Sequence, residues 1–269
     1  MPFQTPRSLK HEYELYVERE IEDYKDSVPR SALLKIGDEA VAVLNQAAQG
    51  TLTEIIVWHE VDQIIMKRLR IPSYPTWRRR RLRELAQYRT PEHWGIDPDA
   101  ALVREMRTAL DRHVLVAGTA GEGHALYLAA NGCAVTAIDP AADVMQRVLN
   151  AAEQAGLTDR VRGYCADLTR WYPDVELHAV VCGAAALAGL SPDARAHVLT
   201  MLQQATAQGG VHLVETLSHN ATAPHTTARD TGIIPIEELQ DRYRGWNVTL
   251  ERTQRNGVRT FLARKEAVA

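Results

Sequence analysis

The sequence predicts an α/β protein: a doubly wound, mostly parallel seven-stranded sheet that ends in an antiparallel hairpin, preceded by an all-helical N-terminal cap. Three observations predict it. From Val114 onward, short apolar runs alternate with amphipathic helical stretches, the pattern of a parallel sheet covered by helices on both faces. Near the end, two strand-like stretches flank Asn256-Gly257, a pair suited to a tight hairpin turn. Over residues 1 to about 105, apolar positions recur at three and four residues, and no stretch alternates as a half-buried strand would.

The helical region takes residues 1–105. A first helix is expected over Arg7 to Asp26 and a second from Ser31 to about Ala48, where Gly50 stops it. In the third, Thr51 and Glu54 form a capping-box pattern, and Trp58, Val61, Ile65 and Leu69 an apolar stripe running to Arg70. A fourth begins near Pro75, carries Arg78 to Arg81, and shows a narrow apolar side of Leu82, Leu85 and Ala86. The segment RTPEHWGIDPD then reads as a linker, and a helix runs from Pro98 to His113.

Residues 106–269 carry the sheet. Strands are expected at Val114–Ala117, Ala134–Ile138, Val161–Tyr164, Ala179–Cys182 and Val211–Thr216, then at Trp246–Gln254 and Val258–Arg264 in the hairpin. Val144, Met145, Val148, Leu149 and Ala152 form the stripe of a helix closed by Gly156. Ser191 caps another helix with Pro192 at its first position, and a further helix lies around Ile236 to Tyr243.

Composition narrows the function. At 269 residues, 45% hydrophobic and 24% charged, the chain is an ordinary globular one, and a net charge of −3 gives no whole-molecule attraction to nucleic acid or anionic membrane. The longest mostly apolar run, Ala179 to Leu190, is too short to span a bilayer, and the opening residues lack a secretory hydrophobic core, so a cytoplasmic protein without membrane association is expected. Cys133, Cys165 and Cys182 show no C-x-x-C spacing and read as reduced thiols. From Lys67 to Arg89, nine Lys or Arg face one acid, Glu84, a local +8 that leaves −11 for the rest. Arg78–Arg81 are therefore a candidate contact for RNA or an acidic partner, set against a solvated basic helix face.

The chemistry gathers at the strand ends. VLVAGTAGEGHALYLA is a buried strand entering a glycine-rich loop and then a helix; Gly118, Gly121 and Gly123 allow a sharp turn and a close backbone approach to a ligand. Asp139 ends the second strand 21 residues after Gly118, where a carboxylate can accept hydrogen bonds from both ribose hydroxyls. Asp167 follows the third strand in CADL and reaches the same crevice. The bland alternative is a tight strand-to-helix turn with Asp139 as a helix cap.

With these residues in register, the sequence resembles the class I S-adenosylmethionine-dependent methyltransferases over roughly residues 106 to 266. Gly118 to Gly132 matches the family's GxGxG-helix segment in length, and AIDP at Ala137–Pro140 matches its acidic position after the second strand. Val180 to Gly183 and the LSPDARAHVLTMLQQATAQGGVHLVETL that follows look like its fourth strand, fourth helix and fifth strand. The resemblance implies S-adenosylmethionine as cofactor, with the glycine loop (Gly118, Ala120, Gly121, Gly123) at the methionine portion, Asp139 at the ribose and Asp167 beside the adenine, and with Pro140, Leu168 and Gly183 as further cofactor-binding residues. Two departures stand out. Val116 and Ala117 occupy the end of the first strand, where the family places an acid that helps hold the cofactor's amino group, and in an ungapped match Ala120 and Glu122 replace the second and third glycines.

The expected activity is methyl transfer to a small-molecule acceptor with an O, N or C nucleophile, the helical region serving as lid or homodimer contact. Positioning supplies much of the rate of such a displacement, so a base is optional. His219 and His225, after the fifth strand, and His59 with Glu60, off the stripe of the third helix, are the candidate proton acceptors, with solvated surface histidines as the plainer reading. The histidine and cysteine spacings predict no metal. Three other functions compete: a non-catalytic binding or assembly protein that kept the fold and lost the donor site, an RNA methyltransferase using Arg78–Arg81, and a nicotinamide-dependent oxidoreductase, disfavoured by the G-x-x-G-x-G spacing and the missing Tyr-x-x-x-Lys pair.

Overall fold

A computed structural model describes residues 8–46, 53–106, 111–118, 123–217, 234–252 and 258–266. The chain divides into two compact units, Pro6–Glu84 and Leu85–Ala269.

The first unit is helical. Helices α1 (Leu9–Ser27), α2 (Arg30–Gln46) and α3 (Glu54–Leu69) bury Ile21, Ile36, Ala40, Val61, Ile64 and Ile65 in one cluster. Ser8 caps α1, its hydroxyl accepting from the His11 amide at 3.2 Å. The start of α3 differs from expectation: Thr53 is the cap residue, without a side-chain bond, and Thr51 lies outside the described residues. The buried stripe differs too. Trp58 is 53% and Leu69 37% exposed, and Ile64 takes the inward place: a 100° step allows either set beside Val61 and Ile65, and packing against Ile21, Ile36 and Ala40 of α1 and α2 covers the side that holds Ile64. In α4 (Tyr74–Tyr88), Leu82 and Ala86 stand exposed while Trp77 is buried among Tyr13, Tyr16 and Tyr74. Arg81 pairs with Glu12 at 3.3 Å and with Glu84 at 3.5 Å.

The second unit is the predicted sheet, with strands β1 (His113–Ala117), β2 (Ala134–Asp139), β3 (Val161–Cys165), β4 (Leu177–Cys182), β5 (Thr206–Leu217), β6 (Trp246–Arg252) and β7 (Val258–Lys265). Their order is β3-β2-β1-β4-β5-β7-β6; the first five run parallel, and β7 lies antiparallel to both β5 and β6. The Asn256-Gly257 turn falls outside the described residues. Strand β5 starts five residues earlier than its apolar run suggests, because Thr206 pairs with Leu177 across a register shift and Gly209, at φ 74°, lies within the strand.

Alternation along each strand feeds two cores. Val114, Val116, Ala179, Val181, Val211 and Leu213 face the side covered by α6 (Gly123–Ala130) and α7 (Ala142–Ala155). Leu115, Ala117, Val180, Cys182, Val214 and Phe261 face the other, with residues of α8 (Ala184–Ala188), α9 (Pro192–Ala205) and α10 (Ile236–Arg242). The presumed linker is structural: Pro91–Trp94 forms a 3-10 turn, and Ile96 and the short α5 (Ala101–Met106, not a helix from Pro98) join the first of these cores.

Candidate functional site

Strands β1 and β4 are neighbours whose connections leave toward opposite faces, which opens a crevice at their carboxyl ends. The two strand ends are locked together. Gly183 N–H donates to the Ala117 carbonyl at 2.9 Å, and Gly118 N–H to the Ile138 carbonyl at 3.0 Å. Gly118 adopts φ 68°, and a Cβ there would lie 2.8 Å from Ala186 Cβ and 2.9 Å from Ala186 N. A Cβ on Gly183 would meet the Gly118 carbonyl at 2.5 Å. Backbone conformation and crowding thus both require glycine at 118, and crowding alone does at 183.

Two hollows flank Gly118 and Ala185. The first, about 200 Å³, is lined by Ile138, Pro140, Asp167, Leu168, Ala186 and Leu190 among others, and thus draws on the ends of β2 and β3. The second, about 370 Å³, opens on the α6 side between Trp94, Ile96, Val116, Gly123, His124 and Glu215. Trp94 is fixed by its indole N–H, which donates to the Tyr88 carbonyl at 2.7 Å, and its own carbonyl would lie 2.5 Å from a Cβ on Gly123.

The structure brings Gly118, Pro140, Asp167 and Leu168 to the first hollow, and Gly118, Gly123 and Gly183 to the second. Asp139 sits between two lining residues, Ile138 and Pro140, but is itself 7% exposed. Its Oδ1 accepts from the Ala141 amide at 2.9 Å, which fixes the carboxylate at the start of α7. Asp167 Oδ1 accepts from the Thr169 amide at 2.8 Å and hydroxyl at 2.9 Å, and these bonds hold its carboxyl below the ordinary carboxylate range. It is therefore an anion that shapes its own loop. His59 stands exposed on α3 in the first unit. Ala120, Gly121, His219 and His225 lie outside the described residues.

The residues fit a nucleoside with an extended tail. Ile138, Leu168 and Leu190 offer apolar contact to a base, Gly118 lines both hollows and so joins them, and carboxylates stand at the ends of β2 and β3. The sequence reading missed Trp94, Ile96, His124, Glu215 and the α8 residues. Two signals were present: Glu215 interrupts the apolar run VHLVETL, and His124 directly follows the last loop glycine. Cys133, Cys165 and Cys182 form no disulfide, and burial pushes the Cys133 thiol up to about 11 and Cys182 to about 12, which leaves both as inert core groups. Among the described residues no cluster of three His, Cys, Asp or Glu is placed to hold a metal, and no helix is long and apolar enough to cross a membrane.

A mixed seven-stranded sheet in this order, with its terminal antiparallel hairpin and a crevice at the β1/β4 switch point, defines the class I S-adenosylmethionine-dependent methyltransferase fold. Residues 99–259 match the family described as tellurite resistance protein TehB. The chain belongs to that family. The solved structure of TehB from Haemophilus influenzae is similar over 61% of this chain and 61% of that one, at 20% identity and a TM-score of 0.50, so this chain covers less than two thirds of it. Two further solved structures are similar in fold. One is the glycopeptide N-methyltransferase MtfA complexed with S-adenosyl-L-methionine (16% identity, 61% and 86% of the two chains, TM-score 0.48). The other is a SAM-dependent methyltransferase from Methanosarcina mazei (16% identity, 63% and 99%, TM-score 0.49). No curated relative matches the sequence.

Proposed function

We propose that this protein binds S-adenosylmethionine and transfers its methyl group to a small-molecule acceptor in the cytoplasm. The observation that carries the reading is the locked pair Gly118/Gly183, which forces two strand ends into backbone contact and leaves a ligand-sized hollow on each side. Class membership and fold support it.

When bound, S-adenosylmethionine supplies an electrophilic methyl group; the protein supplies position. Asp139 and Pro140 are assigned to the ribose, Asp167 and Leu168 to the adenine edge, and Gly118, Gly123 and Gly183 to the passage of the methionyl chain, with Ala120 and Gly121 completing the loop. His219 and His59 are the candidate acceptor-side bases, each to be tested by substitution with Gln, which should lower turnover without changing cofactor affinity. The helical unit is proposed to act as lid or homodimer contact. Calorimetric titration with S-adenosylhomocysteine tests the whole reading: binding supports it, and no heat with either S-adenosylmethionine or its demethylated product refutes it.

One observation favours a second reading. The Asp139 carboxylate already accepts the Ala141 amide, and β1 ends in Val116 and Ala117 without an acid, as in a fold kept for binding or assembly after its donor site was lost. The same titration separates the two.

A further inference from the structure

The hollow on the α6 side of Gly118 has mostly apolar walls, from Trp94, Ile96, Val116 and Ala117. Two side chains that line it carry chemistry: His124, second residue of α6, and Glu215 on β5. His124 Nε2 lies 3.9 Å from Glu215 Oε1, near it but too far for a hydrogen bond, and the side chains are 30% and 28% exposed. The pair therefore combines one acceptor and one imidazole donor facing a common space.

Register explains why Glu215 is there. Val214 pairs with Cys182, the last residue of β4, so Glu215 is the first β5 residue beyond the end of its neighbour. Alternation turns it to the same side as Leu213 and Val116, the α6 side. A glutamate at this step overhangs the strand end at Val116-Ala117, which has no charge of its own. The two hollows share Gly118 and Ala185, so a ligand seated with its base between Leu168 and Leu190 and extended past Gly118 ends beside Glu215 and His124.

An α-amino acid terminus presents an ammonium and a carboxylate a few ångströms apart. Burying either without a partner is costly, so a site for this group needs an anion and a donor in matching places. We infer that the hollow is an amino-acid subsite in which Glu215 accepts from the α-ammonium and His124 donates to the α-carboxylate of the methionyl tail, with β5 supplying the acid that β1 lacks. The assignment rests on the nucleoside reading above and adds to it the residues that recognise the tail.

The test compares S-adenosylhomocysteine, which has the amino-acid tail, with 5′-methylthioadenosine, which lacks it, by calorimetry on wild type, Glu215→Gln, Glu215→Asp and His124→Ala. Wild type should bind the tailed nucleoside at least tenfold more tightly. Glu215→Gln should remove most of that preference while its affinity for methylthioadenosine stays within about twofold, which also reports an intact fold; Glu215→Asp should restore part of it, and His124→Ala should lose a smaller share. A Glu215→Gln protein that keeps the full preference, or loses affinity for both nucleosides equally, overturns the subsite and leaves the nucleoside reading standing. Wild type that binds neither nucleoside overturns both.

Discussion

Acidification should weaken this fold through one histidine in the middle of β5. His212 is fully buried in a hydrogen-bond chain of a single polarity. Thr206 gives its one hydroxyl proton to the Leu202 carbonyl at 2.6 Å, so its oxygen accepts from His212 Nε2–H at 2.7 Å, and His212 Nδ1 accepts from the Tyr243 hydroxyl at 2.7 Å. The network thereby selects the neutral Nε2–H tautomer. A proton added at Nδ1 would face the Tyr243 hydroxyl hydrogen, and the Lys265 ammonium, held by the Gln203 and Thr206 carbonyls at 3.0 and 2.6 Å, adds a like charge. Burial first, and Lys265 second, lower the imidazole from 6.5 to about 3. Between those values the unfolded chain holds a proton that the folded one refuses, so the stability contributed by His212 is complete above about pH 6.5 and declines as pH falls toward 3. At about pH 5 the loss is ~2 kcal/mol, from roughly 1.4 kcal/mol for each of about 1.5 pH units. His212→Gln keeps an amide donor and acceptor but does not titrate. Urea unfolding at about pH 7.5 and about pH 5 should show wild type losing ~2 kcal/mol more than the variant. Equal losses, or a ring that titrates near pH 6 by NMR, would refute the argument.

Four further outcomes follow from the same geometry. Gly118→Ala places a Cβ against Ala186 at a left-handed backbone position, and should cost about 1–3 kcal/mol of stability and abolish nucleoside binding as α8 is displaced; binding at wild-type affinity removes the crevice from the site. Asp139→Asn keeps an oxygen for the Ala141 amide but puts an amide nitrogen in place of the other oxygen, so unfolding should change by under ~1 kcal/mol while S-adenosylhomocysteine affinity falls by about 1–3 kcal/mol; unchanged affinity makes Asp139 a cap only. Arg195, 8% exposed, grips Glu238 through Nε at 2.7 Å and Nη2 at 2.8 Å and also donates to the Leu190 carbonyl at 3.1 Å, tying α9 to α10. Arg195→Ala should cost about 2–3 kcal/mol in urea unfolding, and a loss below ~0.5 kcal/mol would make the pair ornamental. Charge reversal across Arg78–Arg81 tests the RNA reading, since salt-sensitive retention on RNA must disappear with it if those arginines form the contact; Arg81 is engaged by Glu12 and Glu84, and Arg80, which shares Glu84, stands exposed with Arg78 and Arg79.

Legibility in the sequence followed how each feature is encoded. A buried parallel strand is a contiguous apolar run, so β1, β2 and β4 were readable to within one or two residues. The hairpin was readable because a tight turn demands particular residues. The helical stripe of α3 was misread at Trp58 and Leu69, since hydrophobic type records only a preference and burial is decided by what a neighbouring helix covers. Trp94 and Ile96 were invisible for the opposite reason: they fall among Pro, Gly and Asp, which signal a loop, while their burial depends on a sheet whose first strand begins at His113.

Glu215 shows where pattern reading stops and register begins. In the sequence it is a polar residue within VHLVETL, equally compatible with the sheet's edge, a solvent-facing step or the crevice. Only the pairing of Val214 with Cys182 and the end of β1 at Ala117 place it one step above the apolar floor and opposite His124. The same logic explains Asp139, whose position after an apolar strand was readable although its commitment to the Ala141 amide was not. Residue type locates a carboxylate at the rim of a sheet, and the lengths of the neighbouring strands decide whether it caps a helix, faces solvent or meets a ligand. For this protein the decisive acid on the α6 side is therefore set by where β4 ends, and an insertion or deletion in β4 that shifted its register should disconnect Glu215 from the crevice without changing a single residue that lines it.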